Sequence, residues 1–399
     1  MPTPATVAPA SVSMLRTLVS FPTVSRDSNL ELIAYARDCL RALGAECRLT
    51  YDDERRKANL FATLGPRDVP GIVLSGHTDV VPVDGQQWDS DPFALVEREG
   101  RWYGRGTADM KGYIACVLTL APEFVARGLH TALHVALSYD EEVGCLGVAR
   151  LIEDLAVSGI RAGGCIVGEP TLMKPVIAHK GKRSYRCTVT GLAAHSAYAP
   201  RGVNAVEAAA EAVACLKRMA RRHRDAGPYD SSYDVGYTTV HTGVIRGGTA
   251  LNIIPAHCCF DFEFRHLPRD DADALLREFT DYVRRELEPE MKRVDPRAGF
   301  IIEQLSEIPA LENGPETEIV SLARELALDA MTGKVSYGTE ASQFQRAGIP
   351  AVVCGPGSIE QAHKANEYIE AAQLQKCETF LRRLMDRMCG EAPAPGFDG

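Results

Sequence analysis

The chain has 399 residues, enough for a large core and about two domains. Its 44 Lys and Arg face 53 Asp and Glu, a formal charge of −9. That leaves no basic surplus to neutralise phosphates and excludes a nucleic-acid partner, and no run approaches the roughly 20 apolar residues that span a bilayer, so no membrane partner is expected. The opening segment lacks a basic stretch leading into an apolar one, so no signal peptide is read. The twelve cysteines show no C-x-x-C spacing and are expected as reduced thiols of a cytoplasmic protein.

Residues 28–43, "SNLELIAYARDCLRAL", carry apolar positions at helical spacing, and Gly44 follows as a stop signal. "NLFATLG" and "GIVLSGH" read as strands, the second a continuous apolar run suited to a sheet covered on both faces. Residues 111–126 read as a helix, and "ALHVALS" and "GCIVGEP" as two more buried strands. Short apolar strands alternating with helices predict an α/β layer with a mixed, largely parallel sheet flanked by helices. Between 185 and 295 the texture changes. "YRCTVTG", an Ala-rich helix over 203–223, the strands "YTTVHTGVIRGG" and "HCCFDFEFRHL", an amphipathic helix in "DADALLREFTDYVRREL" and the strand "GFIIEQL" give the order β-α-β-β-α-β. This is the order of a ferredoxin-like split unit. The α/β pattern resumes with "IVSLARELALDAM" and "AVVCGPG", and "EAPAPGFDG" reads as a frayed end. The expected organisation is a catalytic domain of residues 1–184 and 296–399 and an inserted α+β domain at 185–295.

Sheets of this kind bind ligands beyond the carboxyl ends of their strands. After "GIVLSG" come His77 and Asp79; after "WYGRGTA" comes Asp109; after "HVALSY" come Asp140, Glu141 and Glu142; after "GCIVG" comes Glu169; and "GPGSIEQAHKANEY" supplies His363. Two histidines and several carboxylates at strand ends suit a borderline divalent cation such as Zn²⁺. Five ligands exceed what one catalytic zinc takes from protein, whereas a pair of ions sharing one carboxylate uses them all. Glu141 and Glu142, read as adjacent extended residues, are expected to point in opposite directions.

In their order, "SGHTDVVPVDGQQWDSDPF", "WYGRGTADMKG", "DEEVG", "GEPT" and "AHKANEY" resemble the M20 family of di-zinc metallopeptidases and amidohydrolases across nearly the whole chain. Within it, "TADMKG", "AHKG", "PRGVNAVE" and "GPGSIEQAHKANEY" are most similar to the acetylornithine deacetylase branch. The resemblance implies a zinc-exopeptidase-like catalytic domain with an inserted lid and dimerisation domain, a homodimer, an N-acyl amino acid as small-molecule substrate, and two divalent ions per subunit, Zn²⁺ with Co²⁺ as the alternative. It assigns His77 and Glu169 to one ion, Glu142 and His363 to the other, and Asp109 as the bridge. Asp79 would orient the His77 imidazole, and Glu141 would be the general base that passes a proton to the leaving amine. His195, in "GLAAHSA", would stabilise the oxyanion in the partner subunit's site. Asn252 and Arg265 match positions that grip a substrate carboxylate, and Gly338 and Thr339 would line the floor near His363. Glu340 is left open between specificity and structure, and His179 has no assigned chemistry. Asp140 is expected to be turn structure, His130, His134, His241 and His257 structural, and His223 solvated.

Overall fold

The computed structural model describes residues 8–389; the frayed end expected at "EAPAPGFDG" lies outside them. Two compact units emerge, one made of residues up to Ala178, Glu312–Gly333 and those from Thr339 on, the other of His179–Leu311 with Lys334–Gly338. The second unit reaches beyond the expected 185–295 on both sides, because its strands Gly181–Thr190 and Gly299–Ile308 pair along their whole length and cannot be cut at 185 or 295.

The first unit is built on a nine-stranded sheet. Its centre is four parallel strands in the spatial order Leu133–Ser138, Gly71–His77, Ala162–Pro170 and Ala351–Gly355. Antiparallel strands Ala58–Leu64 and Glu46–Tyr51 extend one side. The sheet is thus mixed and largely parallel in its middle, as expected from the continuous apolar runs. Every residue of Leu133–Ser138 is buried, as is all but one of Gly71–His77. The helix Lys111–Ala126 matches its predicted limits and packs into the same core, where Tyr113, Ile114, Leu120 and Phe124 meet Leu374, Leu381 and Met385 of the helix Ala371–Met388. Gly168 sits against the ring of Tyr113, and a Cβ there would come within 2.0 Å of it. Only glycine lets the strand run past that ring to present Glu169.

The second unit is a four-stranded antiparallel sheet in the order Thr239–Gly247, His257–His266, Gly181–Thr190, Gly299–Ile308. Its helices are Ala205–Ala226, where the Asn204 side chain accepts from Val206 N and Glu207 N, and Ala272–Tyr282, where Asp271 does the same for Asp273 N and Ala274 N. The predicted single helix over 271–287 passes into a π-type turn at Val283–Leu287 and a further helix at Glu288–Val294. Phe262 meets Phe279 at 4.9 Å between ring centres in the core beneath the helices. The other face is open, and Val244 and Ile301, paired with Asp261 and Thr188, are exposed on it.

All twelve cysteines are unpaired and nine are buried, in line with the expected thiols. His223 departs from expectation: it is buried in the inner face of its helix, not solvated, because the helical period turns it inward with Ala212, Leu216 and Met219.

Candidate metal centre

The parallel strands end at one edge, and the acidic residues following them converge there. His77 is the last residue of its strand and 1% exposed. Its Nε2 lies 2.9 Å from Asp109 Oδ1 and 3.8 Å from Glu169 Oε1. The other oxygen of Asp109, Oδ2, lies 3.3 Å from His363 Nε2, which is 2.9 Å from Glu142 Oε2. Asp109 therefore stands between two histidines with one oxygen toward each. Ligand atoms of His77, Asp109 and Glu142 lie within 4.8 Å of one another, as do those of His77, Glu141 and Glu169. The five expected ligands and Glu141 are all brought together in the first unit.

The electrostatics of the cluster suit a bound cation. Burial, with Asp109, Glu141 and Glu142 nearby, raises Glu169 well above the usual carboxylate range. Burial first, and then Glu142, Glu340 and Asp109, push Glu141 up to about 8, and burial with Asp109 pushes Glu142 up to about 7. His363 is raised to about 10 by its contacts to Asp109 and Glu142. Glu169 Oε1 is buried without a hydrogen-bond partner. Carboxylates desolvated at such density disfavour their own charged forms, and a cation that faces several of them at once removes that penalty. The donor set, imidazole nitrogen with carboxylate oxygen, fits a divalent ion of the zinc type.

Two expectations about the acidic segment change. Glu141 and Glu142 are not extended: Gly144 N and Cys145 N both donate to Glu141 O, at 2.9 and 2.8 Å, closing a turn that leads into the helix Leu146–Ser158. The separation of the two side chains comes from that turn and not from strand alternation. Asp79 meets His77 Nδ1 through its backbone carbonyl at 2.9 Å, while its carboxylate stays 3.7 Å away. That carboxylate instead accepts from Glu141 N at 3.1 Å, Glu142 N at 3.3 Å and Ser25 Oγ at 2.7 Å. It holds the acidic turn in place and touches the imidazole only through its own main chain.

Several neighbours have contacts that the sequence reading did not foresee. Asp140, with φ of 55°, receives Lys57 Nζ at 2.5 Å, so its turn carries a half-buried ion pair. Cys145 Sγ donates to Glu141 Oε1 at 3.2 Å. Glu340 is buried, accepts from Ser138 Oγ at 2.5 Å and is pushed up to about 7 by burial. Lys57 stands in the charged run "DDERRK", far along the chain from the acidic cluster, whereas Cys145 lies only four residues past Glu141.

The remaining candidates divide between the units. Thr339 is buried in the first, and its hydroxyl accepts from Ala341 N. Gly338 belongs to the second, where it packs on Ile308. His195, Asn252 and Arg265 are also in the second unit. His195 and Asn252 are neighbours there, since Ser196 N donates to Asn252 O at 3.0 Å, and both are exposed. Arg265 Nε donates to Glu263 Oε1 at 2.9 Å. His134 is buried, its Nδ1 2.9 Å from Thr63 Oγ1, and His179 is buried with Nδ1 2.9 Å from Lys180 O.

Residues 73–387 match the model of peptidase family M20/M25/M40. The chain is 33% identical over 389 residues to an acetylornithine deacetylase of Pasteurella multocida, covering 96% of this chain and 98% of that one. It is 34% identical over 390 residues to an acetylornithine deacetylase of Proteus mirabilis, covering 96% and 97%. Among solved structures, an M20 family metallo-carboxypeptidase from Sulfolobus solfataricus superposes with a TM-score of 0.73 at 16% identity, over 94% of this chain and 98% of that one.

Proposed function

Because the chain belongs to peptidase family M20/M25/M40 and is a metal-dependent hydrolase, we propose that it cleaves the amide bond of an N-acyl amino acid, with N-acetylornithine as substrate and ornithine and acetate as products. The observation that carries this reading is Asp109, one oxygen toward His77 at 2.9 Å and the other toward His363 at 3.3 Å. His77, Glu169 and Asp109 would hold one divalent ion, and Glu142, His363 and Asp109 the other, with Zn²⁺ as the ion and Co²⁺ as the alternative. When bound, such a pair lowers the pKa of water and polarises the acyl carbonyl.

The protein's own residues do the rest. Glu141, in the turn held by Asp79, takes the proton of the attacking water and returns it to the amine nitrogen as the C–N bond breaks. His195 Nδ1 accepts from Ala197 N at 3.1 Å, which leaves the ring proton on Nε2, free to donate to a developing oxyanion. In this reading His195 serves the active site of a second copy, so the protein works as a homodimer joined through its second unit, which also acts as lid. Asn252 and Arg265 take the substrate carboxylate, and Gly338 and Thr339 line the pocket floor. The reaction belongs to arginine biosynthesis in the cytoplasm. Among the described residues no helix is long and apolar enough to cross a membrane.

A hydrolysis screen over N-acetyl, N-succinyl and N-formyl amino acids and dipeptides tests the assignment. N-acetylornithine is expected to give the highest kcat/KM. A preference for N-succinyl-diaminopimelate, another acyl group or a dipeptide would keep the chemistry and overturn the substrate.

A further inference from the structure

His363 presents a problem of support. Its side chain is 52% exposed, so packing does not hold the ring, and its φ of 65° is a left-handed conformation that a non-glycine residue keeps only where its surroundings impose it. The imposing contacts are on the main chain. Gln86 Nε2 donates to His363 O at 2.9 Å, and Arg105 Nη1 donates to Lys364 O at 3.3 Å. Arg105 Nη2 also donates to Gln86 Oε1 at 2.6 Å, and that oxygen accepts from Trp88 Nε1 at 3.2 Å.

The same guanidinium reaches the other ligand. Arg105 Nη1 donates to Glu367 Oε2 at 2.7 Å, and both side chains are 1% exposed. Glu367 Oε1 accepts from Ala108 N at 2.9 Å and from Asp109 N at 3.1 Å. A buried ion pair is a poor means of stabilising a fold, since desolvation offsets its attraction. Here, among the described residues, every hydrogen-bond partner of the Glu367 carboxylate lies within residues 105–109, and Glu367 itself is four residues past His363. The pair therefore joins the segment that carries Asp109 to the segment that carries His363, at sequence separations of about 260 residues.

We propose that Glu367 and Gln86, linked by the Arg105 guanidinium, are positioning residues that set the spacing of Asp109 and His363 and so determine how tightly the two cations bind. This rests on the reading of the cluster as a two-cation site. The network acts in two separable halves. Glu367 holds the main chain of Asp109, whose side chain faces both ions. Gln86 holds the main chain of His363, which faces only one.

The test is calorimetric titration of Zn²⁺ into the metal-free full-length chain, with the melting temperature of each metal-free variant measured alongside. The unsubstituted chain is expected to take up two ions. Glu367→Gln is expected to weaken both binding events by about 10–100-fold, the range for residues that orient ligands from behind. Gln86→Glu keeps an acceptor for Arg105 but loses the donor to His363 O. It is expected to weaken one event by about 10-fold or more and to leave the other, and the metal-free melting temperature, unchanged. Gln86 is half-buried, so this variant tests the inference even if Glu367→Gln fails to fold. Wild-type affinity for both ions in Gln86→Glu, or equal weakening of both in step with a lowered melting temperature, would overturn the proposal and leave the two-cation reading standing. No uptake by the unsubstituted chain would instead overturn that reading itself.

Discussion

The two units hold their candidate functional groups in opposite ways. In the first, His77 is fixed by the Asp79 carbonyl, Glu141 and Glu142 by the Asp79 carboxylate, Asp109 by Glu367 and His363 by Gln86, all within the same unit. In the second, His195 and Asn252 lie exposed at the end of an open sheet, and Arg265 is met by Glu263 of its own strand. A site that gathers cations must be built before they arrive, because the carboxylates repel one another and only rigid neighbours keep them together. Groups that contact a substrate or a second copy of the chain can wait in solvent, where they cost the fold little. The comparison teaches that substitutions in the first unit should act through the reaction centre, and those in the second through recognition.

The contrast is sharpest within the acidic turn. Glu141→Gln is expected to lower kcat by about 10²–10⁴-fold, the contribution of a positioned acid–base group, while two ions still bind by metal analysis. Glu142→Gln is expected to lower activity together with loss of one ion. Equal ion loss in both variants would break the division of roles between the neighbours. In the second unit, Arg265→Lys exchanges a two-pronged donor for a single point charge. A charge-assisted hydrogen bond is worth about 2 kcal/mol, so KM should rise roughly 30-fold with kcat and ion content little changed. A change in ion content would place Arg265 on the wrong side of the comparison.

Smaller effects test how each unit supports its own frame. Burial lowers His134 to about 4. Between pH about 4 and 6.5 the unfolded chain therefore binds a proton there that the folded chain refuses, so stability falls as pH drops through that window and changes no further below it. His134→Gln should remove up to about 3 kcal/mol of this acid sensitivity, read from urea unfolding at pH 7.5 and pH 4.5. In the second unit, Asn204→Ala removes the cap of the helix Ala205–Ala226 and should cost about 1 kcal/mol, with ion binding in the first unit untouched.

Much of this was legible from local pattern. Continuous apolar runs marked the central strands, and the polar residues just past them, His77, Asp109, Glu142, Glu169 and His363, are the ones the fold gathers. The helix Lys111–Ala126 and the order β-α-β-β-α-β of the second unit followed from periodicity in the same way. Periodicity misled where a feature depends on a turn: Glu141 and Glu142 looked extended because they follow a strand, and His223 looked solvated because its sequence neighbours are charged.

The amino-acid sequence by itself determined which side chains stand at the strand ends and which chemistry they can support, since both depend on residues a few positions apart. Only the tertiary structure decided what holds them. Lys57 with Asp140, Asp79 with the amides of Glu141 and Glu142, and Glu367 with those of Ala108 and Asp109 join residues from about 60 to about 260 positions apart. Each charged side chain among them is, in isolation, an ordinary one suited to solvent. It becomes a support only when folding removes water and leaves a buried donor or acceptor that must be met by whatever the fold brings beside it.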